Sequence, residues 1–248
     1  MTTILRTARR TLRRLANRAG FEITRRQNTL VARRMRLLSH YHVNLIFDVG
    51  ANSGQYAKEV RRFGYKGRIV SFEPLSGIYK DLVANSRRDP LWETCNIALG
   101  SRDEELEINI SANTTSSSFL KMKPEHVEAL SESKYTGKES VKIHRIDTII
   151  DDYYRPGDTL FLKMDVQGYE KHILDGAEAS LNNIKRIQLE ASLTTLYEGE
   201  TLLPQMLELM AEKGYMLMGL EPGFFNPETG RLLQVDCIFF RERNQAND

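Results

Sequence analysis

The 248-residue chain is 41% hydrophobic and 27% charged, an ordinary globular balance that argues against disorder and suits one α/β domain with a modest appendage. Its two cysteines, Cys95 and Cys237, lie far apart without CxxC spacing, which argues against a disulfide framework or cysteine zinc site and for a reducing compartment. The net charge of +2 conceals an asymmetry, because residues 1–40 hold eleven arginines against one acid, Glu22, and the remainder is net acidic.

Within residues 1–42, Leu5, Ala8, Leu12, Leu15 and Ala19 recur at helical spacing between basic faces. This predicts an arginine-rich helical extension, with a stop at Gly20 and a second helix over 30–39. The apolar stripe is narrow and rich in alanine, so the extension reads as a cap on the domain. A peripheral membrane surface or a partner protein are the other readings. Nucleic acid is not expected as a partner, since the rest of the chain is acidic and carries no nucleic-acid motif. No apolar run approaches a membrane span, and no signal-peptide core follows the basic start, so a cytoplasmic location is expected.

The 43–248 segment changes pattern. A strand over 45–49 precedes a helix over 55–63, a strand over 68–72, a helix over 75–86 and a strand over 92–99. Period-two alternation over 105–110 reads as a hairpin addition, and 111–137 is polar and rich in Ser, Thr and Lys. A strand over 140–144, a helix over 145–153, an apolar strand over 159–164 and a helix over 169–174 follow. A strand over 186–190, an amphipathic helix over 202–213, and strands over 215–220 and 233–240 close the chain. Strands alternating with helices predict a doubly wound, mostly parallel α/β sheet.

The most informative stretch is 47–56, FDVGANSGQY, a strand, a glycine-rich turn and a helix. Gly50 and Gly54 allow a tight turn and close approach of a ligand, and the helix start offers N–H groups. Asp48 places a carboxylate at the strand end. Glu73 ends the second strand, where an acid can accept both ribose hydroxyls of an adenosine. A dinucleotide fingerprint would read GxGxxG; the spacing here is GxxxG with an acid two positions upstream. That acid repels a pyrophosphate but suits the amino or sulfonium end of S-adenosylmethionine. A nicotinamide-dependent oxidoreductase on a similar sheet is the rival reading, and a non-catalytic cofactor-binding protein of the same fold is a second.

DVGANSGQY, SFEP, NIALGS, LKMDVQGYE and QVDCIFF, in this order, resemble the successive signatures of the FkbM methyltransferase family over residues 43–240. The resemblance implies a class I, Rossmann-like methyltransferase fold, with a seven-stranded, mostly parallel sheet whose last strand is antiparallel. It implies S-adenosylmethionine as cofactor and a hydroxyl oxygen on a sugar, glycan or other natural product as acceptor. Cofactor contacts are then expected at Asp48, Gly50, Ala51, Asn52, Gly54, Tyr56, Glu73 and Pro74, with Asn96 and Ala98 on the adenine side. The run over 114–118 resembles a loop near the acceptor, with a flexible surface linker as its plain alternative.

Methyl transfer is an in-line displacement, so holding the acceptor oxygen on line supplies much of the catalysis, and a hydroxyl nucleophile needs a base or a metal. Asp165 ends the LFLKM strand and Glu190 ends RIQLE, so both are expected on the catalytic rim. The plain alternative for Glu190 is a salt bridge to Lys163 or Lys185. Glu170 reads equally as a helix-dipole acid, and His144 reads as structural. No zinc pattern is present; Asp165, Glu190 and Asp236 leave a hard cation such as Mg²⁺ open.

Overall fold

A computed structural model describes residues 10–11, 14–21 and 25–241. Of the predicted extension, Leu5, Arg6, Ala8, Arg9, Leu12, Arg13 and Glu22 lie outside these residues, while 10–11 and 14–18 are helical.

Strands β1 (Leu45–Val49), β2 (Arg68–Phe72) and β3 (Trp92–Cys95) precede β4 (Ala98–Leu99), β5 (Glu104–Ser111) and β6 (Tyr135–His144). After them come β7 (Leu160–Met164), β8 (Arg186–Ser192), β9 (Met216–Pro222) and β10 (Gln234–Phe240). Seven of these form one sheet in the order β3-β2-β1-β7-β8-β10-β9. The pairs from β3 to β8 are parallel, and β10 runs antiparallel to both β8 and β9. The expected seven-stranded, mostly parallel sheet with a reversed last strand is therefore present. LIFDV and LFLKM are buried along their whole length, because helices cover both faces of the central parallel strands.

The helices are α1 (Leu30–His40), α2 (Gln55–Arg62), α3 (Ser76–Ser86), α4 (Pro124–Ala129), α5 (Ile146–Tyr153), α6 (Glu170–Asp175) and α7 (Leu203–Glu212). In α1, the Thr29 side chain accepts the Ala32 N–H at 3.3 Å as an N-cap. Leu38 of α1 packs with Ile46, Ile69, Phe161 and Phe240, so this part of the extension shares the core of one sheet face. Among the described residues no helix is long and apolar enough to cross a membrane.

The strand predicted over 92–99 is broken at Asn96. Its side-chain amide donates to the Glu73 and Pro74 carbonyls, both at 2.9 Å, which turns the chain out of the main sheet. Ala98–Leu99 then joins a second, three-stranded sheet in the order β4-β6-β5. The 105–110 alternation does enter an antiparallel pair, but its partner is the distant β6. The polar segment between them is held in place: the Ser118 hydroxyl donates to the Gln167 carbonyl at 2.7 Å and the Tyr135 hydroxyl to that of Leu120 at 2.8 Å.

Candidate functional site

The carboxyl ends of β2, β1 and β7, with the reversed β10 beside β8, surround a cavity of about 380 Å³, within the roughly 300–1,000 Å³ of small-molecule sites. The loop between β1 and α2 forms its floor. Gly50 adopts φ +70°, and a Cβ there would lie 1.9 Å from the Asp165 carbonyl oxygen. Only glycine lets the β1 and β7 ends approach this closely. Asn52, at φ +48°, supports its left-handed backbone by accepting the Ser53 N–H at 2.7 Å on its own side chain.

The loop amides are spent internally. Gly50 and Ala51 both donate to the Phe72 carbonyl, Asn52 to Glu73 Oε2, Ser53 to Asn52 Oδ1, and Gly54 to the Ala51 carbonyl. A pyrophosphate needs free N–H groups at this turn, so the turn is unsuited to a dinucleotide.

Glu73 is 5% exposed and accepts the Asn52 and Leu75 N–H groups at 2.8 and 2.9 Å, one on each oxygen. Each oxygen keeps a lone pair, so the carboxylate fits a ribose diol. Burial pushes its carboxyl up to about 7 against the pull of those two donors. Leu75, Ile97, Ala98, Leu99 and Ile108 make an apolar wall beside it, suited to a purine ring. The residues present thus fit an adenosyl cofactor.

The opposite side of the cavity lies over β7, β8 and β10 and is polar. Gln167, at φ +55°, donates through one amide group to Asp165 Oδ1 at 3.0 Å and Glu190 Oε2 at 2.8 Å. The Tyr197 hydroxyl donates to Gln167 Oε1 at 2.7 Å and fixes the orientation of that amide. Gln234 gives Glu190 Oε2 a second N–H at 2.7 Å. Burial, followed by the Asp165 and Asp236 carboxylates, raises the Glu190 carboxyl well above its ordinary value. Arg34 of α1 reaches this side, 5.0 Å over the Tyr56 ring and 3.0 Å from Glu59.

The predicted site residues separate into wall and support. Gly50, Ala51, Asn52, Tyr56, Glu73, Pro74, Ala98 and Asp165 line the cavity. Asp48 is buried and pairs with Lys163 at 3.1 Å, and it is the Lys163 side chain that reaches the wall. Gly54 packs where a Cβ would lie 2.5 Å from the Trp92 ring, and Asn96 braces the Glu73–Pro74 turn. Glu190 is tied to Gln167 and Gln234 rather than to Lys163 or Lys185. Thr114, Thr115, Ser117 and Ser118 line the cavity, so the 114–118 run is part of the site rather than a linker. His144 sits 3.2 Å from Asp103 and away from the wall. Among the described residues no three His, Cys, Asp or Glu side chains are arranged to hold a metal ion.

Sequence reasoning missed Lys163, Gln167, Gln188 and Arg34 as wall residues. Lys163 and Gln167 each lie two positions from Asp165 in LKMDVQG, and that closeness to an expected rim acid was the signal available. Arg34 carried no distinguishing signal among eleven arginines.

Glu170 opens α6, 4% exposed, and accepts the Val166 N–H at 3.0 Å. Burial pushes its carboxyl up to about 8. A folded-state value above the ordinary 4.5 means that its contribution to stability is full below that value and is lost as pH rises through 8. Glu170→Gln should therefore flatten the fall in unfolding free energy between pH 5 and 9 relative to wild type, read by denaturant titration. Parallel pH slopes in the two proteins would refute a buried, proton-holding Glu170.

Residues 48–217 match the family model described as Methyltransferase FkbM domain. A 2-O-methyltransferase, NoeI of Sinorhizobium fredii, is 24% identical over 175 residues, 67% of this chain and 70% of its own length. Among solved structures, a proposed methyltransferase from Thermobifida fusca superposes with TM-score 0.50 at 8% identity, covering 86% of this chain and 79% of that one. Streptococcus pneumoniae Sp1610, solved in complex with S-adenosyl-L-methionine, gives 0.44 at 10% identity over 86% and 75%.

Proposed function

The chain belongs to the FkbM methyltransferase family, and from that premise we propose that it transfers a methyl group from S-adenosylmethionine to a hydroxyl oxygen of a sugar or glycan. When bound, S-adenosylmethionine supplies an electrophilic methyl group on a sulfonium. The protein supplies position and a proton acceptor. Glu73 takes the ribose, and the wall of Leu75, Ile97 and Ala98 takes the adenine. Asp165 lines the other side, and Glu190 is joined to it from behind the wall through Gln167.

The observation that carries the hydroxyl reading is this amide-bridged pair of carboxyl groups. A hydroxyl oxygen must lose its proton as it attacks, and burial together with the Asp165 and Asp236 carboxylates raises the proton affinity of Glu190 for that role. Arg34, Gln188 and Asp236 add donors and acceptors at the same end, the mixture that a polyhydroxyl compound satisfies. The 2-O-methyltransferase relative supports oxygen as the acceptor atom. Arg34 brings α1 of the basic extension to this end of the cavity.

Transfer of label from methyl-tritiated S-adenosylmethionine to a panel of neutral mono- and oligosaccharides tests the reading. The expected product carries alkali-stable label, because an ether resists base. Alkali-labile label, or acceptors that are labelled only on nitrogen, would overturn it.

A further inference from the structure

The acid upstream of the glycine loop was expected to meet the amino end of the cofactor, yet the fold gives Asp48 to Lys163. That pairing leaves a different charged couple facing the ligand. Lys163 lies on β7 and Asp165 is the first residue after it, its N–H held by the Val49 carbonyl at 3.1 Å, so both stand at the same strand end. Their charged ends lie 3.8 Å apart, and both line the cavity.

The Lys163 side chain is 7% exposed. Among the described residues its ammonium approaches Asp48 Oδ1 at 3.1 Å and the Gly50 carbonyl at 3.4 Å. An ammonium has three N–H groups, so one remains for the cavity. Asp165 is the more open partner, 43% exposed, with Oδ1 held by Gln167. The pair stands beside the Gly50 turn, one strand away from β2 and Glu73. Glu73, Lys163 and Asp165 thus line one cavity, with β1 between the acid and the pair.

We propose that Lys163 and Asp165 together receive the zwitterionic amino-acid tail of the cofactor, Lys163 taking the α-carboxylate and Asp165 the α-ammonium. A simple anion is disfavoured here, because Asp48, Asp165 and Asp236 outnumber the single ammonium. A zwitterion brings a cation for Asp165 as well as an anion for Lys163 and adds no net charge to the site. This rests on the methyltransferase reading and divides its two acids. Asp165 belongs to the donor, and Glu190 is left to receive the hydroxyl proton.

The test uses two ligands that share the adenosine and the thioether, S-adenosylhomocysteine and 5′-methylthioadenosine, the second lacking the amino-acid tail. Calorimetric titration compares wild type, Asp165→Asn, Lys163→Met, and Lys163→Met combined with Asp48→Asn. The combined variant removes opposite buried charges together, so it keeps the question answerable if Lys163→Met alone fails to fold. Each folded variant should lose S-adenosylhomocysteine affinity on the order of 10- to 100-fold while 5′-methylthioadenosine changes by less than about threefold. Equal losses for both ligands would make the pair a structural support and overturn the inference, as would wild-type S-adenosylhomocysteine affinity in the combined variant. Wild type that binds 5′-methylthioadenosine but not S-adenosylhomocysteine would overturn the tail site alone. Wild type that binds neither would bring down the methyltransferase reading with it.

Discussion

Glu73→Ala is expected to weaken S-adenosylhomocysteine binding by about 100-fold or more, since it removes a charged acceptor from two hydroxyls and frees the loop that shapes the site. Glu73 is the link between the ends of β1 and β2: one oxygen holds the Asn52 N–H and the other the Leu75 N–H. Without it, two buried donors lose their acceptor, and Asn52 has less reason to stay at φ +48°. Glu73→Gln separates these roles, because an amide keeps the shape but presents an N–H group to one of the two donors.

The wild-type affinity should also depend on pH. With the carboxyl at about 7, the group is mostly protonated at pH 6 and mostly ionised at pH 8. Ribose hydroxyls are donors to the ionised form, so affinity should rise through this interval and level off above it. The effect on stability has the opposite sign. A carboxyl raised above its ordinary 4.5 gives its full contribution below that value and loses it as pH rises through 7. Calorimetry at pH 6, 7 and 8 on wild type and Glu73→Gln reads the binding part. Equal affinities at the three pH values, or wild-type affinity in Glu73→Ala, would remove Glu73 from the cofactor site.

The second large effect is expected at Gly50. Gly50→Ala should lower the unfolding free energy by roughly 3 kcal/mol or more, through backbone collision and a left-handed residue together. The added Cβ would lie 1.9 Å from the Asp165 carbonyl oxygen, at a backbone φ of +70°. Neither partner yields easily. The Asp165 N–H is bonded to the Val49 carbonyl at 3.1 Å, and the Gly50 N–H to that of Phe72 at the same distance. If the β1 and β7 ends separate to make room, Lys163 and Asp165 move away from the Gly50 turn. S-adenosylhomocysteine affinity should then fall with stability. Denaturant unfolding that stays within about 1 kcal/mol of wild type would show that the two strand ends are not closely packed.

Much of the fold was legible because its signals are local. The apolar runs at 45–49 and 160–164, the GxxxG turn and the acid after 68–72 all report burial or turn chemistry over a few residues. The elements misread are those whose partners are remote. Residues 92–99 look continuous, but Asn96 turns the chain by bonding to carbonyls more than twenty positions upstream. The run over 114–118, within the polar stretch 111–137, looks like a linker by composition. It is fixed in place by bonds such as Ser118 to Gln167, which no local pattern reveals.

By itself the sequence determined the family, most of the alternation of strands and helices, and the glycine turn with its following acid, because each is written in short-range periodicity and in ordered motifs. Only the tertiary structure decided which charged group meets which. Asp48 and Lys163 are 115 positions apart, yet their strands are adjacent in register, and burial obliges each to find an opposite charge. The same long-range pairing carried Arg34 from the helical extension to the far wall of the cavity. Periodicity tells a residue to be inside; the partner it finds there depends on which strands the sheet places side by side.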